Sequence, residues 1–408
     1  MRALIILTIF SLAVTSCHKE EISNKYEPII LDLKSQALVE SSNQFGFDLF
    51  KSTIKNSEEF QNIMISPLSV SQALGMTWNG ASGATRDEMT NMLGFDIANA
   101  GELNEANQSI RQALLSADRK VDMNIANSIW YRQGYSVNPE FIKTNEDFYN
   151  AVVESLDFSQ GEESKRIINQ WVSDQTKGRI PEIVEGVSGD HVMFLINAVY
   201  FKGKWKYKFQ KEDTGDEKFY LENGTSITTK TMKQSADLLH FYADDCSGIA
   251  MPYGNGHFEM VVIVPNEGID VSSIVGNLDD QKWNDYLNSF TEKGVEVWLP
   301  GFTFECKQKL NEPLKALGMK TAFSFGADLS KIGPGKLLIS KVQHNTFVEV
   351  NEEGSEAAAA TSVEVVNTSI GGGGSPLLFK VDRPFVFAIR EKDTGAILFM
   401  GQVYNPVN

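Results

Sequence analysis

The sequence predicts a single α+β domain, and three observations lead to this prediction. Helical spacing of apolar residues dominates the first quarter of the chain, and strand-like stretches dominate the rest. The two kinds of element mix without a regular strand–helix–strand alternation, which excludes a doubly wound sheet. The 408 residues would allow two or three domains, but no internal repeat or Pro/Gly/Ser-rich linker divides the middle.

The first predicted elements are two helices. Apolar side chains recur at helical spacing over residues 38–54, which predicts a first helix. Ser66 suits an N-cap and Pro67 the first helical position, because proline lacks the N–H that is unsatisfied there anyway. The apolar pattern continues to Trp78, so a second helix should extend at least that far.

A third short helix and most of the strands follow. Thr85 and Glu88 have the spacing of a capping box, which predicts a helix that ends near Gly94. Another helical stretch surrounds residues 167–172. Alternating or apolar stretches that predict strands occur at residues 121–125, 192–201, 258–264, 295–304, 347–350, 379–389 and 397–403.

The N-terminal residues have the pattern of an export signal. Arg2 precedes an apolar run over residues 3–14 that is too short to span a bilayer. The run ends in Val-Thr-Ser-Cys, which resembles the lipobox of bacterial lipoproteins, where the signal is cut before a lipid-bearing cysteine. We expect a signal peptide over 1–16, lipid on Cys17 and a tether over 17–33. The protein would then be anchored to the bacterial outer membrane and exposed at the cell surface. A plain cleaved signal is the alternative.

Charge and cysteine content restrict the partners. With 37 basic and 53 acidic residues, the formal net charge of −16 disfavours nucleic acid and heparin-like polyanions. Four lysines alternate over residues 202–208, and we expect a solvated face there.

Cys246 and Cys306 do not make a disulfide framework, and we expect two buried thiols, although a disulfide between them stays an open alternative. No later stretch reaches the roughly 18 apolar residues of a membrane span, so the membrane is a partner only through the N-terminal lipid.

No pattern in the sequence favours catalysis, a metal or a cofactor. The five histidines lie far apart, and none has a His, Cys or acidic partner at a metal-ligand spacing. Residues 186–190 lack the final glycine of a nucleophile elbow. Residues 254–256 lack the third glycine of a dinucleotide-binding loop. We therefore expect no catalytic residue, no metal site and no cofactor.

One segment interrupts the strand pattern. About 25 residues separate the strand that ends near Val350 from the strand that resumes near Leu377, and they include four alanines and a glycine run over 371–374. A structureless loop of this length is uncommon in a compact domain and usually functional. The glycine run lacks the Lys-Ser/Thr of a phosphate-binding loop, so we interpret it as a flexible spacer.

Several stretches of the chain resemble the serpin family, the serine protease inhibitors. They occur in family order with compatible spacing: NIMISPLSVSQALGMTWNGASGATRDEMTNMLGF at 62–95, INQWVSDQTKGRI at 168–180, NAVYFKGKWKYKF at 197–209, VEVNEEGSEAAAA at 348–360 and RPFVFAIREKDTGAILFMGQVYNP at 383–406. The resemblance implies one domain over 34–408, with about nine helices, three β-sheets and an exposed reactive loop over 352–376.

The resemblance also implies a suicide-type mechanism. A target protease cleaves the loop, and the loop inserts as a new central strand of the main sheet before the acyl-enzyme hydrolyses. The alternation over residues 355–366 fits such a strand, because one parity is small and then β-branched, whereas Glu356 and Glu364 share the other. A low-complexity flexible loop is the alternative, but it does not explain this separation of charge.

The resemblance also implies roles for individual residues of this chain. It assigns a hinge to Glu352, Gly354, Ser355, Glu356, Ala357, Ala358, Ala359 and Ala360, and Gly354 can adopt backbone angles that other residues cannot. It assigns a polar cluster beneath the centre of the main sheet, where the sheet must open, to Ser66, Ser69, Asn197 and His344, and it places Trp205 where insertion begins. Taken without the family, Ser66 is a helix cap and His344 a core histidine. Asn345 stands where a lysine often follows that histidine.

The reactive bond follows from a family count of 17 residues that starts at Glu352. The count places cleavage between Thr368 and Ser369. The count from the C-terminal side disagrees, because residues 370–376 look like an insertion, so Val366 and Asn367 stay alternatives. An uncharged Thr368 suits elastase-like and subtilisin-like serine proteases, with papain-like cysteine proteases as a further class.

The sequence therefore predicts a monomeric inhibitor that is not an enzyme and that forms a covalent complex with its target endopeptidase. The alternative is a non-inhibitory serpin-like binding or adhesion module at the cell surface. Bulky or charged hinge residues are typical of such modules, and the alanine-rich hinge of this chain argues against it. A lipoprotein hydrolase would need a nucleophile and base that the sequence does not offer.

Overall fold

Helices in the N-terminal half pack against sheets formed mainly by the C-terminal half. The computed structural model describes residues 26–95, 99–355 and 376–407. The α-helices of these residues are α1 (Leu33–Lys55), α2 (Pro67–Asn79), α3 (Gly83–Leu93), α4 (Ala100–Ser116), α5 (Pro139–Tyr149), α6 (Gly161–Gln175), α7 (Val271–Asn277), α8 (Asp280–Asn288) and α9 (Asn311–Ala316). Short 3₁₀ helices cover Lys211–Asp213 and Thr321–Phe323.

The start of α2 confirms the sequence prediction. The Ser66 side chain accepts a hydrogen bond from the Ser69 N–H at 3.3 Å, and Pro67 is the first residue of the helix. Eleven of the 13 residues of α2 are buried, so this helix lies inside the domain rather than on its surface. A cap inside the core satisfies an N–H that water cannot reach.

The capping box predicted at Thr85 and Glu88 is wrong. Helix α3 begins at Gly83, after an N-cap residue whose side chain makes no capping hydrogen bond. The Thr85 hydroxyl instead accepts from the Asp328 N–H at 2.9 Å, and the Glu88 carboxylate accepts from the Thr321 N–H at 2.6 Å. Both side chains hold a distant segment instead of the helix start. The predicted end is confirmed, because Gly94 closes the helix with φ 66°.

The described strands form two hydrogen-bonded sheets. The strands are β1 (Ile63–Ile65), β2 (Val121–Arg132), β3 (Ala151–Leu156), β4 (Met193–Lys204), β5 (Gly215–Tyr220), β6 (Ser226–Tyr242), β7 (Cys246–Pro252), β8 (Phe258–Pro265), β9 (Thr291–Pro300), β10 (Phe302–Lys309), β11 (Gln343–Asn351), β12 (Gly354–Ser355), β13 (Leu377–Lys380), β14 (Phe385–Glu391) and β15 (Ile397–Val403). The main sheet has the order β10-β11-β12-β4-β2-β3. The second sheet has the order β1-β15-β14-β8-β7-β6-β9-β13, with β5 paired to β6.

The resemblance implied three sheets, and the described residues form two. The difference lies in the 17-residue strand β6, which pairs with β5 over residues 226–231, with β9 over residues 231–240 and with β7 over residues 239–242. One long strand therefore joins two sets of strands into a single hydrogen-bonded sheet.

Two of the predicted strands are each divided in the structure. The stretch 295–304 is split at Gly301, since β9 belongs to the second sheet and β10 to the main sheet. The stretch 379–389 is split before Phe385, where Pro384 has no N–H to donate to a ladder. Apolar periodicity located the strands but not the points where the chain changes sheet or partner.

The main sheet is buried on its inner face and, on its outer face, is covered at the middle strands. Its inner face packs on the large core, and α6 packs on its outer face through Ile168 and Val172, which contact Trp130, Ile196 and Ala198. Since alternate residues of a strand point to opposite faces, β2 and β4 have one side toward the core and one toward α6, whereas the outward side chains of β10 are exposed.

Three smaller expectations can be compared with the described residues. Cys246 and Cys306 are both buried and free, which confirms the predicted thiols. The lysines at 204, 206 and 208 are exposed and alternate with largely buried residues, as a solvated face requires. Within the described residues, no helix has the length and hydropathy of a membrane span.

Candidate functional site

The main sheet has the width of an additional strand between β4 and β11. Among the described strands no backbone pairing joins β4 to β11 directly, and the two-residue strand β12 lies between them. Ser355 is paired with Val350 on one side and with Gly203 on the other, antiparallel to both. Since adjacent strands lie about 4.8 Å apart, β4 and β11 are separated here by two spacings, about 9.6 Å. We call this separation the opening.

A tight reversal at Glu352 and Glu353 brings the chain from β11 into β12. The Trp205 N–H donates to the Glu353 carbonyl, and the indole Nε1 donates to the Asn351 carbonyl, both at 2.9 Å. The Thr214 hydroxyl donates to the Glu352 carboxylate at 2.8 Å. The segment that follows β4 thus holds both backbone and side chain of the reversal, and Trp205 lies against the predicted hinge.

Gly354 occupies a position that only glycine fits. A Cβ added there would lie 2.0 Å from the Gly203 carbonyl oxygen and 2.7 Å from the Lys204 Cα. Its φ of 151° is also a conformation that residues with a Cβ rarely adopt. The close approach of two backbones at the start of the opening therefore requires this residue type.

Ser355 is the first residue inside the opening, and it faces the core. Its side chain is buried, and its hydroxyl is 2.6 Å from the Tyr253 hydroxyl. The Tyr253 ring stacks on Trp205, with 4.4 Å between ring centroids and 12° between planes. Sequence reasoning missed Tyr253, because 102 residues separate it from Ser355 and no local pattern marks it.

The polar cluster attaches the first turn of α2 to both sides of the opening. The Ser66 N–H donates to Nε2 of His344 on β11 at 2.9 Å. The Ser69 hydroxyl donates to Oδ1 of Asn197 on β4. One helix terminus, beneath the sheet, therefore contacts both strands that border the opening.

The cluster extends further than the sequence indicated. The Asn197 side chain donates to Oδ1 of Asn127 on β2 at 2.7 Å, and Asn127 in turn donates to the Tyr149 carbonyl at 2.7 Å. Asn127 and Asn197 lie directly opposite each other in the β2–β4 ladder. A buried asparagine within an apolar strand was the available signal, but its partner could be found only from the register.

Burial sets the electrostatics of the cluster. It lowers the pKa of His344 to about 4, because the imidazolium form would lose its hydration. His344 is therefore neutral at pH 7, and its Nε2 can accept the hydrogen bond from Ser66. The four predicted members carry no charge at this pH, so they can exchange partners without moving an ion inside the protein.

Asn345 links β11 to the outer face of the sheet. Its amide nitrogen donates to the Glu182 carbonyl at 2.8 Å, and its oxygen accepts from the Gln343 side chain at 2.9 Å. Glu182 lies in the segment after α6, and Arg179 of the same segment forms an ion pair with Glu349 on β11 at 3.2 Å. The departure from the family pattern at Asn345 thus falls where this segment contacts the edge of the opening.

A cavity of about 450 Å³ lies along the lower part of the opening. Residues of β4 line one wall and the approach to β11 lines the other, and Ser69 and Ala73 of α2 form part of its base. Both Asn197 and His344 border it. The polar cluster therefore borders the cavity about six residues below β12 on both strands.

The remaining predicted residues cannot be placed. Three groups of predicted residues lie outside the described part of the chain. They are the hinge positions Glu356, Ala357, Ala358, Ala359 and Ala360, the reactive positions Val366, Asn367, Thr368 and Ser369, and Cys17, the predicted site of lipid attachment.

Comparisons with known proteins agree with this geometry. The family model described as "Serpin (serine protease inhibitor)" matches residues 40–406. A serpin-like protein of Thermococcus kodakarensis is 36% identical over 94% of this chain and 89% of its own length. A leukocyte elastase inhibitor of Bos taurus is 34% identical over 91% of this chain and all of its own length. The native-state structure of tengpin, a thermophilic serpin, is 32% identical with a TM-score of 0.83, covering 93% of this chain and 96% of tengpin.

Proposed function

The chain belongs to the serpin family of serine protease inhibitors, and on this premise we propose that it traps endopeptidases irreversibly. The target would cleave the loop that follows β12, and the cleaved loop would enter the opening as a strand between β4 and β11. The position of β12 carries this proposal, since its two residues already pair with both strands as an inserted strand would. Relatives described as elastase inhibitors support the same class of activity.

The register of β12 predicts where the inserted residues would lie. Six residues beyond Ser355, residue 361 would lie opposite His344 and Asn197, which are six residues before Val350 and Gly203. An inserted Thr361 would therefore bring a hydroxyl to the polar cluster. A hydroxyl can both donate and accept there, so insertion would leave no buried polar group without a partner.

Side-chain size and charge also fit insertion. Ser355 faces the core, and strand alternation would place Ala357, Ala359 and Thr361 on that same face. Small uncharged side chains can enter beside Tyr253 and the core without displacing them. The glutamates of the segment would face away from the core, where burial of a charge is avoided.

The proposed reaction is an interrupted hydrolysis. The nucleophile of the protease attacks the carbonyl carbon of Thr368, its proton passes to the departing amino group of Ser369, and an acyl-enzyme forms. Insertion would carry the acyl-enzyme away from the hinge before water can cleave the ester, or the thioester of a cysteine protease. Elastase-like and subtilisin-like proteases suit an uncharged Thr368, and papain-like enzymes are the further class.

The test is to mix the full chain with an elastase-like protease and to separate the products on a denaturing gel. We expect a band of the summed mass that resists denaturation, and a released C-terminal fragment that begins at Ser369. A simple clip without the covalent band would favour the non-inhibitory binding module and overturn the proposal. A fragment that begins at Thr368 or Asn367 would move the bond upstream, and one that begins within 371–375 would refute the spacer interpretation.

A substitution at the reactive bond sharpens this test. Thr368→Arg should weaken inhibition of elastase-like proteases and create inhibition of trypsin-like ones, because a guanidinium needs the carboxylate of a trypsin-like pocket. The matched control is Ser369→Arg, which places the same charge after the bond and should not transfer specificity. If both variants behave alike, Thr368 does not enter the primary pocket.

We further propose that the inhibitor is a monomer anchored to the outer membrane through lipid on Cys17. The lipobox-like Val-Thr-Ser-Cys supports this proposal. Cells fed a radiolabelled fatty acid should label the wild-type chain and not Cys17→Ser, whereas Cys246→Ser should remain labelled. Equal labelling of wild type and Cys17→Ser would contradict the anchor.

A further inference from the structure

Three side chains of the types that bind metals converge at one end of the second sheet. His257 precedes β8, Glu391 ends β14, and Asp393 lies in the turn before β15. The His257 Nδ1 is 3.7 Å from an Asp393 carboxylate oxygen and 4.0 Å from a Glu391 carboxylate oxygen. One ligand atom from each residue lies within 4.8 Å of the other two.

The histidine nitrogen at the centre of this group has no hydrogen-bond partner among the described residues. His257 is 4% exposed and Glu391 is 0% exposed, so water does not readily replace the missing partner. A buried polar atom without a partner is costly and unusual. Burial also raises the pKa of Glu391, and the nearby Asp393 charge adds to this effect. Two acidic side chains and an unpaired imidazole nitrogen therefore face one another in a buried position.

Surrounding groups hold the two carboxylates in place. Glu391 accepts from the Thr394 N–H and hydroxyl, both at 2.7 Å. Asp393 accepts from the Ile29 N–H at 2.9 Å and from the Tyr26 hydroxyl. Such outer hydrogen bonds orient ligands at metal sites. Burial raises the pKa of Tyr26, so the phenol remains a donor to Asp393 rather than a ligand.

The imidazole is oriented as well. The Tyr26 ring stacks on His257, with 4.4 Å between centroids and 20° between planes. This contact fixes the plane of the imidazole and leaves Nδ1 directed at the two carboxylates. The other charged groups nearby are the Arg390–Glu259 ion pair, at 2.8 Å, and Lys392, whose ammonium lies 5.9 Å from the centroid of the Tyr26 ring.

We propose that His257, Glu391 and Asp393 bind a divalent first-row transition metal ion, with Zn²⁺ the expected occupant, through one imidazole nitrogen and two carboxylate oxygens. Tetrahedral zinc with bonds of about 2.1 Å needs ligand atoms roughly 3.4 Å apart. The distances of 3.7 and 4.0 Å from the His257 nitrogen need to shorten by about 0.3 and 0.6 Å. The two carboxylate oxygens, which lie within 4.8 Å of each other, also need to approach. An imidazole ligand favours zinc over calcium or magnesium, which prefer oxygen ligands.

The test is equilibrium dialysis of the chelator-treated full chain against ZnCl₂ at pH 7, together with thermal melting with and without zinc. We expect one zinc ion per chain and a raised melting temperature. Asp393→Asn should weaken zinc binding at least tenfold, and His257→Gln should do the same. Melting of each variant without zinc shows whether it is folded.

The matched control is His240→Gln. His240 is also buried, at 1% exposed, and its Nε2 also has no partner among the described residues, but its ring contacts Tyr242 and Phe379 rather than carboxylates. Its loss should leave zinc binding unchanged. Undiminished binding in both Asp393→Asn and His257→Gln would overturn the proposal. The absence of zinc binding by the wild-type chain would overturn it as well.

Discussion

The two sides of the opening are joined in different ways at its upper end and at its middle. At the upper end, β12 fills the space between β4 and β11, and close packing fixes it: Gly354 lies against the Gly203 carbonyl, and Ser355 touches Tyr253. At the middle, the first turn of α2 connects the two strands through hydrogen bonds from Ser66 and Ser69.

This difference separates a fixed region from an exchangeable one. A Cβ at position 354 would lie 2.0 Å from a backbone oxygen, so the upper end strongly disfavours any residue but glycine and holds the start of the following segment in a fixed register. Neutral hydrogen-bonding side chains can change partners at little net cost, which is what the proposed insertion of a strand requires at the middle. Substitutions should therefore act through packing and charge burial at the upper end, and through hydrogen bonding or protonation at the middle.

The largest effect is expected from a charge at the upper end. Ser355→Arg should abolish the covalent complex while the loop is still cleaved, because the guanidinium would be buried beside Tyr253 without a partner. Gel densitometry after mixing with an elastase-like protease measures the two products. Glu356→Arg is the control, since alternation places it on the opposite face, and it should retain most of the complex. A Ser355→Arg variant with undiminished complex would show that this position does not enter the sheet.

A methyl group at the upper end should have the next largest effect. Gly354→Ala should lower the free energy of unfolding by about 1–3 kcal/mol, because φ 151° and the Gly203 oxygen both oppose a Cβ. Chemical denaturation of the uncleaved chain measures this loss. Gly189→Ala, where nothing lies within 4 Å of the added Cβ, should be nearly neutral. Equal effects of the two variants would mean that the upper end is not sterically fixed.

The middle should respond to pH through His344. Its pKa falls from 6.5 in the unfolded chain to about 4 in the folded protein, so the unfolded state takes up a proton first as the pH is lowered. The stabilisation is complete above pH 6.5 and is lost as the pH falls toward 4, with a loss of about 2 kcal/mol between pH 7 and pH 5.

His344→Gln isolates this contribution. Its amide oxygen can still accept from Ser66 but does not titrate, so the variant should lose about 2 kcal/mol less than the wild type between pH 7 and pH 5. Denaturation curves at the two pH values give the comparison. Burial also lowers the pKa of His240, so the difference between the two proteins is the informative quantity. Identical pH dependence would show that His344 does not titrate as its burial implies.

The smallest expected effect concerns one hydrogen bond at the reversal. Trp205→Phe removes the donor to the Asn351 carbonyl but keeps an aromatic ring against Tyr253, and it should cost about 1 kcal/mol. Trp298→Phe is the comparison, because its indole donates to the partly exposed Glu296 carboxylate and its loss should cost less. A larger cost at Trp298 would contradict the view that the reversal is tightly held.

The fold could be predicted where local patterns decide it. Ser66 and Pro67 mark the start of α2, and Gly94 marks the end of α3, because caps depend on neighbouring residues. The roles of Thr85 and Glu88 could not be predicted, since their hydrogen-bond partners lie more than 230 residues away.

Residues of the polar cluster and of the proposed metal site were likewise hard to predict where their partners are distant in sequence. Family resemblance identified Ser66, Asn197 and His344, and the structure brings them to one place. It did not identify Asn127, which register alone places beside Asn197. The sequence made a metal site improbable, and it could not indicate the proposed one, because His257 and the two acidic residues are distant in sequence and are brought together by the β8–β14 pairing.

The hydrogen bond from Ser66 to His344 also makes the Ser66 amide proton a probe of the opening by hydrogen–deuterium exchange. The first amide protons of most helices face water and exchange with deuterium quickly, because no carbonyl precedes them in the helix. Here the Ser66 amide is buried and closed by an imidazole from a strand 278 residues further along the chain. Its exchange rate thus measures how often the start of α2 separates from β11. A single peptide group at a helix terminus therefore reports local opening of the main sheet at this strand.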